Sequence, residues 1–147
     1  MSDNRATLIL EARPQNEALA RTVVAAFVAP MDPTVEAMTE IKTAVSEAVT
    51  NAVIHGYGGR GQQAQAGEIK IQMSLSEGLL LIEVSDQGAG IEDIQQAREP
   101  LYTTRQDMER AGMGFTVMET FMDSVEVQSA PGGGTTIVMT KDLRESK

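Results

Sequence analysis

Between Ile69 and Val84 the sequence allows few backbones other than a β-hairpin. Ile69, Ile71, Met73 and Leu75 alternate with Lys70, Gln72 and Ser74. A period of two puts the apolar set on one face of a half-buried strand. Gly78 turns the chain, and Leu79 to Val84 follows as a nearly continuous apolar strand. A hairpin of this kind must cover its apolar face with something else in the chain.

The rest of the sequence supplies that cover. Thr7 to Ala12 reads as a strand, and Gln15 to Val28 as a helix in which Leu19, Val23 and Phe27 recur every four residues. Pro30 and Pro33 interrupt it. Thr34 fits the N-cap of a second helix, and Glu36 and Glu40 suit the positive end of its dipole. That helix runs to about Tyr57, with Met38, Ile41, Val45, Ala48 and Ala52 on one face. Glycines from Gly56 onward end it, and a polar loop continues to Gly67. Glu92 to Arg98 reads as a short helix stopped before Pro100. Leu101 to Ala111 shows no clear period, and Gly114 to Phe121 reads as a helix. Ser124 to Ser129 alternates again, and Pro131-Gly132-Gly133-Gly134 turns into a last strand, Thr135 to Thr140. Strands cluster in hairpins and the helices come separately, so the class is α+β. The expected form is one domain over residues 1–147: a two-layer sandwich with a mixed, mostly antiparallel sheet covered on one face by helices.

Composition narrows the function. The chain has 147 residues, a net charge of −9, no cysteine and one histidine. Disulfides, thiolate metal sites and His-rich metal sites are therefore excluded. The acidic balance argues against nucleic acid, whose phosphates attract basic surfaces, and aromatics at 3% are too few for a base-stacking surface. No apolar run approaches the length of a membrane span, and Met1 to Arg13 lacks the pattern of a signal peptide. A cytoplasmic protein is expected. An acidic chain can still hold a nucleotide, provided backbone N–H groups, Mg²⁺ and a few local cations face the phosphates.

Four elements carry possible chemistry. Glu47, Asn51 and His55 share one face of the second helix at i, i+4 and i+8. An amide oxygen is a hard ligand fit for Mg²⁺, and a nearby carboxylate can take a proton from an attacking hydroxyl. A lone Glu-x-x-x-Asn is more often a solvated helix face, and a helix-end histidine is more often structural. Asp86-x-Gly88-x-Gly90 follows a buried strand. There an aspartate can accept from an exocyclic amine and the glycines allow close approach to a ligand, although Asp/Gly turns are common. Gly112-Met113-Gly114-Phe115 leads into a helix, where free N–H groups suit phosphate; alone it is a flexible helix entry. Gly134-Thr135-Thr136 opens the last strand, and either threonine could support a base beside Asp86. Each element is weak by itself. Their joint order, each in its own structural context, is not.

These four elements, spanning Glu47 to Thr136, resemble the nucleotide-binding boxes of the GHKL (Bergerat-fold) superfamily of ATPases and kinases. Ser46-Glu-Ala-Val-Thr-Asn-Ala-Val-Ile-His-Gly-Tyr57, Pro100-Leu-Tyr-Thr-Thr-Arg105 and Gly112-Met-Gly-Phe-Thr-Val-Met-Glu119 look like the anti-sigma serine kinases within it. The match extends into Asn16 to Phe27, outside the boxes, and leans toward the sporulation branch. The resemblance implies an ATP- and Mg²⁺-dependent protein-serine/threonine kinase that is also an anti-sigma factor. Glu47 would be the general base and Asn51 the Mg²⁺ ligand. Asp86 would read the adenine amine, with Gly88 and Gly90 shaping its pocket and Thr135 or Thr136 supporting the base. Thr103, Thr104 and Arg105 would lie in a lid over residues 98–112, with Arg105 neutralising γ-phosphate charge. Gly112, Met113, Gly114 and Phe115 would close on the phosphates. Arg21 would face protein partners.

Those partners would be a sigma factor of the sporulation type, an anti-anti-sigma factor phosphorylated on serine, and a second copy of the chain in a homodimer. Direct contact with nucleic acid or membrane is not expected. ADP would occupy the same site as ATP. The polar segment Gly58 to Gly67 is longer and richer in glycine and glutamine than the family pattern. Alternatives are a sister kinase serving a stress-response sigma factor and an ATP-gated sigma-binding module without catalysis. A histidine-kinase catalytic fragment fits poorly, because His55 lies inside the ATP-binding helix.

Overall fold

A computed structural model describes residues 3–57, 67–87, 106–129 and 133–146, with side chains for all of these except 55–57, 106–112 and 145–146. Strand β1 (Asn4–Glu11) leads to helix α1 (Asn16–Val28). A single 3₁₀ turn, Ala29–Met31, carries the chain into helix α2 (Val35–Asn51), which runs on as a π-helical turn, Ala52–Tyr57. Strands β2 (Glu68–Ser76) and β3 (Leu79–Asp86) follow, then helix α3 (Gln106–Phe121), strands β4 (Ser124–Ser129) and β5 (Thr135–Asp142), and a closing 3₁₀ turn.

The five strands form one sheet in the order β1-β2-β3-β5-β4. Where a mixed sheet was expected, every one of its pairings is antiparallel. The predicted hairpin closes at Glu77–Gly78, both in the left-handed region with φ of 52° and 84°, as a two-residue turn between twisted strands requires. Its alternation holds throughout: Ile69, Ile71, Met73 and Leu75 are buried, as are Leu80, Ile82 and Val84. Ile137 and Met139 of β5 continue the same apolar face, and α2 lies over it with Ile41, Ala44, Val45, Ala48 and Val49 in one core.

Helix α2 starts where the sequence places it. The Thr34 hydroxyl accepts from the Ala37 N–H at 3.0 Å, satisfying one of the free donors of the first turn. In α1 the buried positions are Ala20, Val24 and Val28, one residue on from the recurring Leu19, Val23 and Phe27, and Leu19 is 47% exposed. The small Ala20 sits where α1 approaches the core, so periodicity found the helix but not its inner edge.

Helix α3 differs more. It begins at Gln106, eight residues before the expected start at Gly114. Gly112, Met113 and Gly114 therefore lie inside a helix rather than at its entry. Two glycines within three residues weaken a helical signal, and here tertiary packing on α2 overrides it. The far end of α3 is tied to β5. Lys141 Nζ donates to the Phe121 carbonyl at 2.6 Å and pairs with Glu40 at 3.1 Å, and the Asp123 N–H donates to the Thr140 carbonyl at 2.8 Å. A cation at a helix C-terminus meets the negative end of the dipole.

Candidate nucleotide site

The α2–α3 contact brings the first cluster together. Gly114 of α3 lies directly over Glu47 and Asn51 of α2. A Cβ at Gly114 would stand 3.1 Å from Glu47 Oε2, 3.1 Å from Asn51 Nδ2 and 3.4 Å from Asn51 Oδ1. The two side chains, one helical turn apart, thus converge under a backbone so close that any side chain at position 114 would press on them. Phe115, fully buried, anchors α3 beside them, while Met113 points away at 58% exposure.

Asn51 is 5% exposed, and its Nδ2 is buried without a hydrogen-bond partner. An unpaired buried amide costs stability, so this one is not spent on holding the fold. Glu47 is half-buried. Burial, and then the nearby Glu17 carboxylate of α1, push its pKa above the usual carboxylate value of 4.5. Glu17 in turn pairs with Arg21 at 3.5 Å. A carboxylate with a raised pKa is a better proton acceptor. Sequence reading missed Glu17, because its approach to Glu47 crosses two helices and leaves no periodic trace.

The second cluster lies at one end of the sheet. Asp86, the last residue of β3, is opposite Thr135 in β5, and Thr135 is opposite Ser129 in β4. Directly paired residues share a face, so Asp86, Thr135 and Ser129 form a polar row across three strands on the helix-covered side. Asp86 is 5% and Thr135 7% exposed. The strand period separates the two threonines that the sequence offered together. Thr136 falls on the opposite face, where its hydroxyl donates to Ser85 Oγ at 3.3 Å. Thr135 Oγ1 instead lies 2.8 Å from Ser129 Oγ. Gly134, at φ 80°, packs against the Asp86 carbonyl oxygen where a Cβ would collide. Ser129 was also missed by sequence reading; only the β4–β5 register reveals it.

The π-helical turn Ala52–Tyr57 touches both β3 and α3, so it connects the two clusters. π-turns recur at functional sites. Gly88, Gly90, Thr103, Thr104 and Arg105 lie outside the described residues, as does the side chain of His55. Of the lid expected over 98–112, the backbone of 106–112 forms the first turns of α3, and 98–105 lie outside the described residues. Gly112 is within α3. Arg21 is on α1, in its pair with Glu17.

Among the described residues no three His, Cys, Asp or Glu side chains come together to hold a metal ion by themselves. The donor set fits Mg²⁺ in another way. Mg²⁺ keeps several waters and is commonly held by one or two protein oxygens plus substrate phosphates, and the side-chain oxygen of Asn51 is a ligand of that type. No helix of the described residues is long and apolar enough to cross a membrane.

Comparison with known proteins agrees with this geometry. The family model of the histidine kinase-like ATPase domain matches residues 10–141. The anti-sigma F factor of Clostridium beijerinckii is 52% identical over 141 residues, covering 96% of this chain and 96% of the relative. That of Thermoanaerobacter pseudethanolicus is 56% identical over 135 residues, covering 92% and 91%. Among solved structures, the RsbU and RsbW domains of a Mycobacterium tuberculosis protein align with a TM-score of 0.65 at 20% identity, covering 95% of this chain and 32% of that one. A blue-light activated histidine kinase of Erythrobacter litoralis aligns with a TM-score of 0.57 at 25% identity, covering 78% and 33%. These structures share the fold of the sheet and helices described above. Nucleotide binding follows from the ATPase domain, and regulation of a sigma factor from the full-length relatives: the chain belongs to the histidine kinase-like ATPase family, in its branch of anti-sigma F factors.

Proposed function

We propose that the chain is an ATP-dependent protein-serine kinase as well as an anti-sigma factor. In this reading it holds a sigma factor of the F type and inactivates an anti-anti-sigma protein by phosphorylating a serine. The observation that carries the kinase half is Glu47: a half-buried carboxylate of raised pKa beside the uncommitted amide of Asn51. A module that only binds ATP has no use for a base at that position.

Phosphoryl transfer needs mainly positioning and charge neutralisation. Mg²⁺, when bound, would neutralise phosphate charge. Asn51 would offer it an amide oxygen. Glu47 would accept the proton of the incoming serine hydroxyl at its carboxylate. Asp86 would accept from the exocyclic amine of adenine, Thr135 would support the base beside it, and Gly88 and Gly90 would shape the pocket. Gly112 and Gly114 would let the α3 backbone come close to the phosphates, with Thr103, Thr104 and Arg105 covering them. Arg21, on the exposed side of α1, would meet protein partners.

Among the described residues β1 is an edge strand of the sheet, where a second copy could pair, so a homodimer belongs to the same reading. The reading also places the protein in the cytoplasm, where sigma factors act. The test is transfer from γ-labelled ATP with Mg²⁺ to the anti-anti-sigma protein. Label on a serine of that protein is the expected result. Bound ATP with sigma captured but no label moved would leave an ATP-gated sigma-binding module instead. Capture of a stress-response sigma factor in place of sigma F would assign the chain to the sister branch.

A further inference from the structure

The packing of α3 on α2 that builds the Glu47–Asn51 cluster is tied again at its other end. Lys141 of β5 is buried on the helix-covered face of the sheet, in line with Ile137 and Met139. Its Nζ donates to the Phe121 carbonyl at the end of α3 and pairs with Glu40 of α2 at 3.1 Å. Phe121 lies seven residues after Gly114, and Glu40 seven residues before Glu47. The two helices therefore run antiparallel, and equal lengths of each, roughly 10 Å, separate the Lys141 tie from the approach of Gly114 to Glu47. Seven residues are close to two turns, so Glu40 and Glu47 share one face of α2. Ala44 and Met118, both fully buried, fall between the two points on their helices.

Apolar packing is non-directional, and a glycine and an alanine offer little relief to lock one helix against another. Charge-assisted hydrogen bonds are directional. A buried ion pair adds little stability over well-packed apolar residues, and its best attested use is to fix register. We propose that Lys141 is a positioning residue for the kinase site. By joining the end of α3 to α2 and to the sheet, it sets where the Gly114 backbone stands along α2, and with it the placement of Glu47 and Asn51. The inference rests on the site and the reaction proposed above. Without the tie, α3 slides or lifts, and the two side chains under Gly114 move with it. The proposed adenine end is out of its reach: Thr135 precedes Lys141 by six residues on β5, roughly 20 Å of extended strand.

The test pairs Lys141→Met with Glu40→Leu, which removes the tie without stranding a charge. Thermal unfolding, calorimetric binding of Mg²⁺-ATP and single-turnover transfer to the anti-anti-sigma protein are measured on the same sample. The unfolding temperature should stay within a few degrees of the wild type and ATP affinity within a few-fold, while the transfer rate at saturating ATP falls about tenfold. Gly114→Ala, which disturbs the same approach directly, should lower the rate by less in this paired variant than in the wild type. A wild-type rate in the paired variant, a rate that falls only as far as ATP affinity does, or effects that simply multiply with Gly114→Ala would each overturn the inference while leaving the kinase reading intact. If the paired variant fails to fold, Glu40→Ala carries the test, since it cuts only the α2 end of the tie at a partly exposed side chain. A lowered rate with ATP affinity kept then supports the role of Lys141, and a wild-type rate overturns it. No transfer by the wild type overturns the kinase reading, and this inference with it.

Discussion

Gly114→Ala separates the site from the fold more cleanly than any other single change. In the interior of a helix this substitution ordinarily stabilises by about 1 kcal/mol, and the φ of Gly114 is not in the left-handed region that would oppose it. Here the added methyl would meet Glu47 Oε2 and Asn51 Nδ2 at 3.1 Å, and Asn51 Oδ1 at 3.4 Å. Each of the closer two must retreat by a few tenths of an ångström. Pushing a side chain about 30° from its rotamer costs roughly 0.5–1.5 kcal/mol. Two such shifts offset the helical gain, so net stability should stay within about 2 kcal/mol of the wild type. Chemistry is less forgiving, since a misplacement near 1 Å can cost about a hundredfold in rate. A smaller shift of both the proposed base and the proposed metal-ligating side chain should lower the transfer rate by about tenfold or more. Thermal unfolding and single-turnover transfer from labelled ATP measure the two quantities on one sample. A variant with unchanged stability and a wild-type rate would refute the argument that the α2–α3 approach at Gly114 shapes the site.

Two further changes probe the electrostatics and the strand end. The raised pKa of Glu47 means that folding favours its protonated form. That contribution is complete below its ordinary value of 4.5 and is lost as pH rises through its higher folded value. At pH 7 ionised Glu47 therefore costs stability, and Glu47→Gln should raise the unfolding temperature there, with the gain fading as pH falls through the raised folded value and gone below 4.5; thermal melts across pH measure it, and a gain that grows on acidification would contradict the assignment. Gly134→Ala should destabilise by more than about 2 kcal/mol. A left-handed non-glycine backbone costs roughly 1–2 kcal/mol, and the new Cβ meets the Asp86 carbonyl, a backbone group that cannot swing away. Urea unfolding measures it, and ATP affinity should fall with it because Asp86 moves.

Much of this was legible in the residues. The alternation of Ile69 to Leu75 and the turn at Gly78 place β2 and β3 correctly, and Thr34 marks the start of α2. These signals are local, set by side-chain period and capping. Glu47, Asn51 and Asp86 stand out through the joint order of the motifs that contain them. What escaped depends on how separate elements meet. The period of α1 does not tell whether Leu19 or Ala20 faces the core. The first turns of α3 carry no amphipathic pattern and end in two glycines, so packing on α2 decides them. That Thr135, not Thr136, shares a face with Asp86 and Ser129 follows from strand register, which is a pairing property and not a local one. Glu17 reaches Glu47 only through the packing of α1 on α2.

Glu47→Ala, assayed for Mg²⁺-ATP binding and for phosphoryl transfer in parallel, tests the central claim most directly. ATP affinity within a few-fold of the wild type, with transfer to the anti-anti-sigma serine abolished, is the predicted result. Transfer that survives the substitution would contradict the role of Glu47 as the base, and ATP affinity lost along with transfer would make it a binding residue instead.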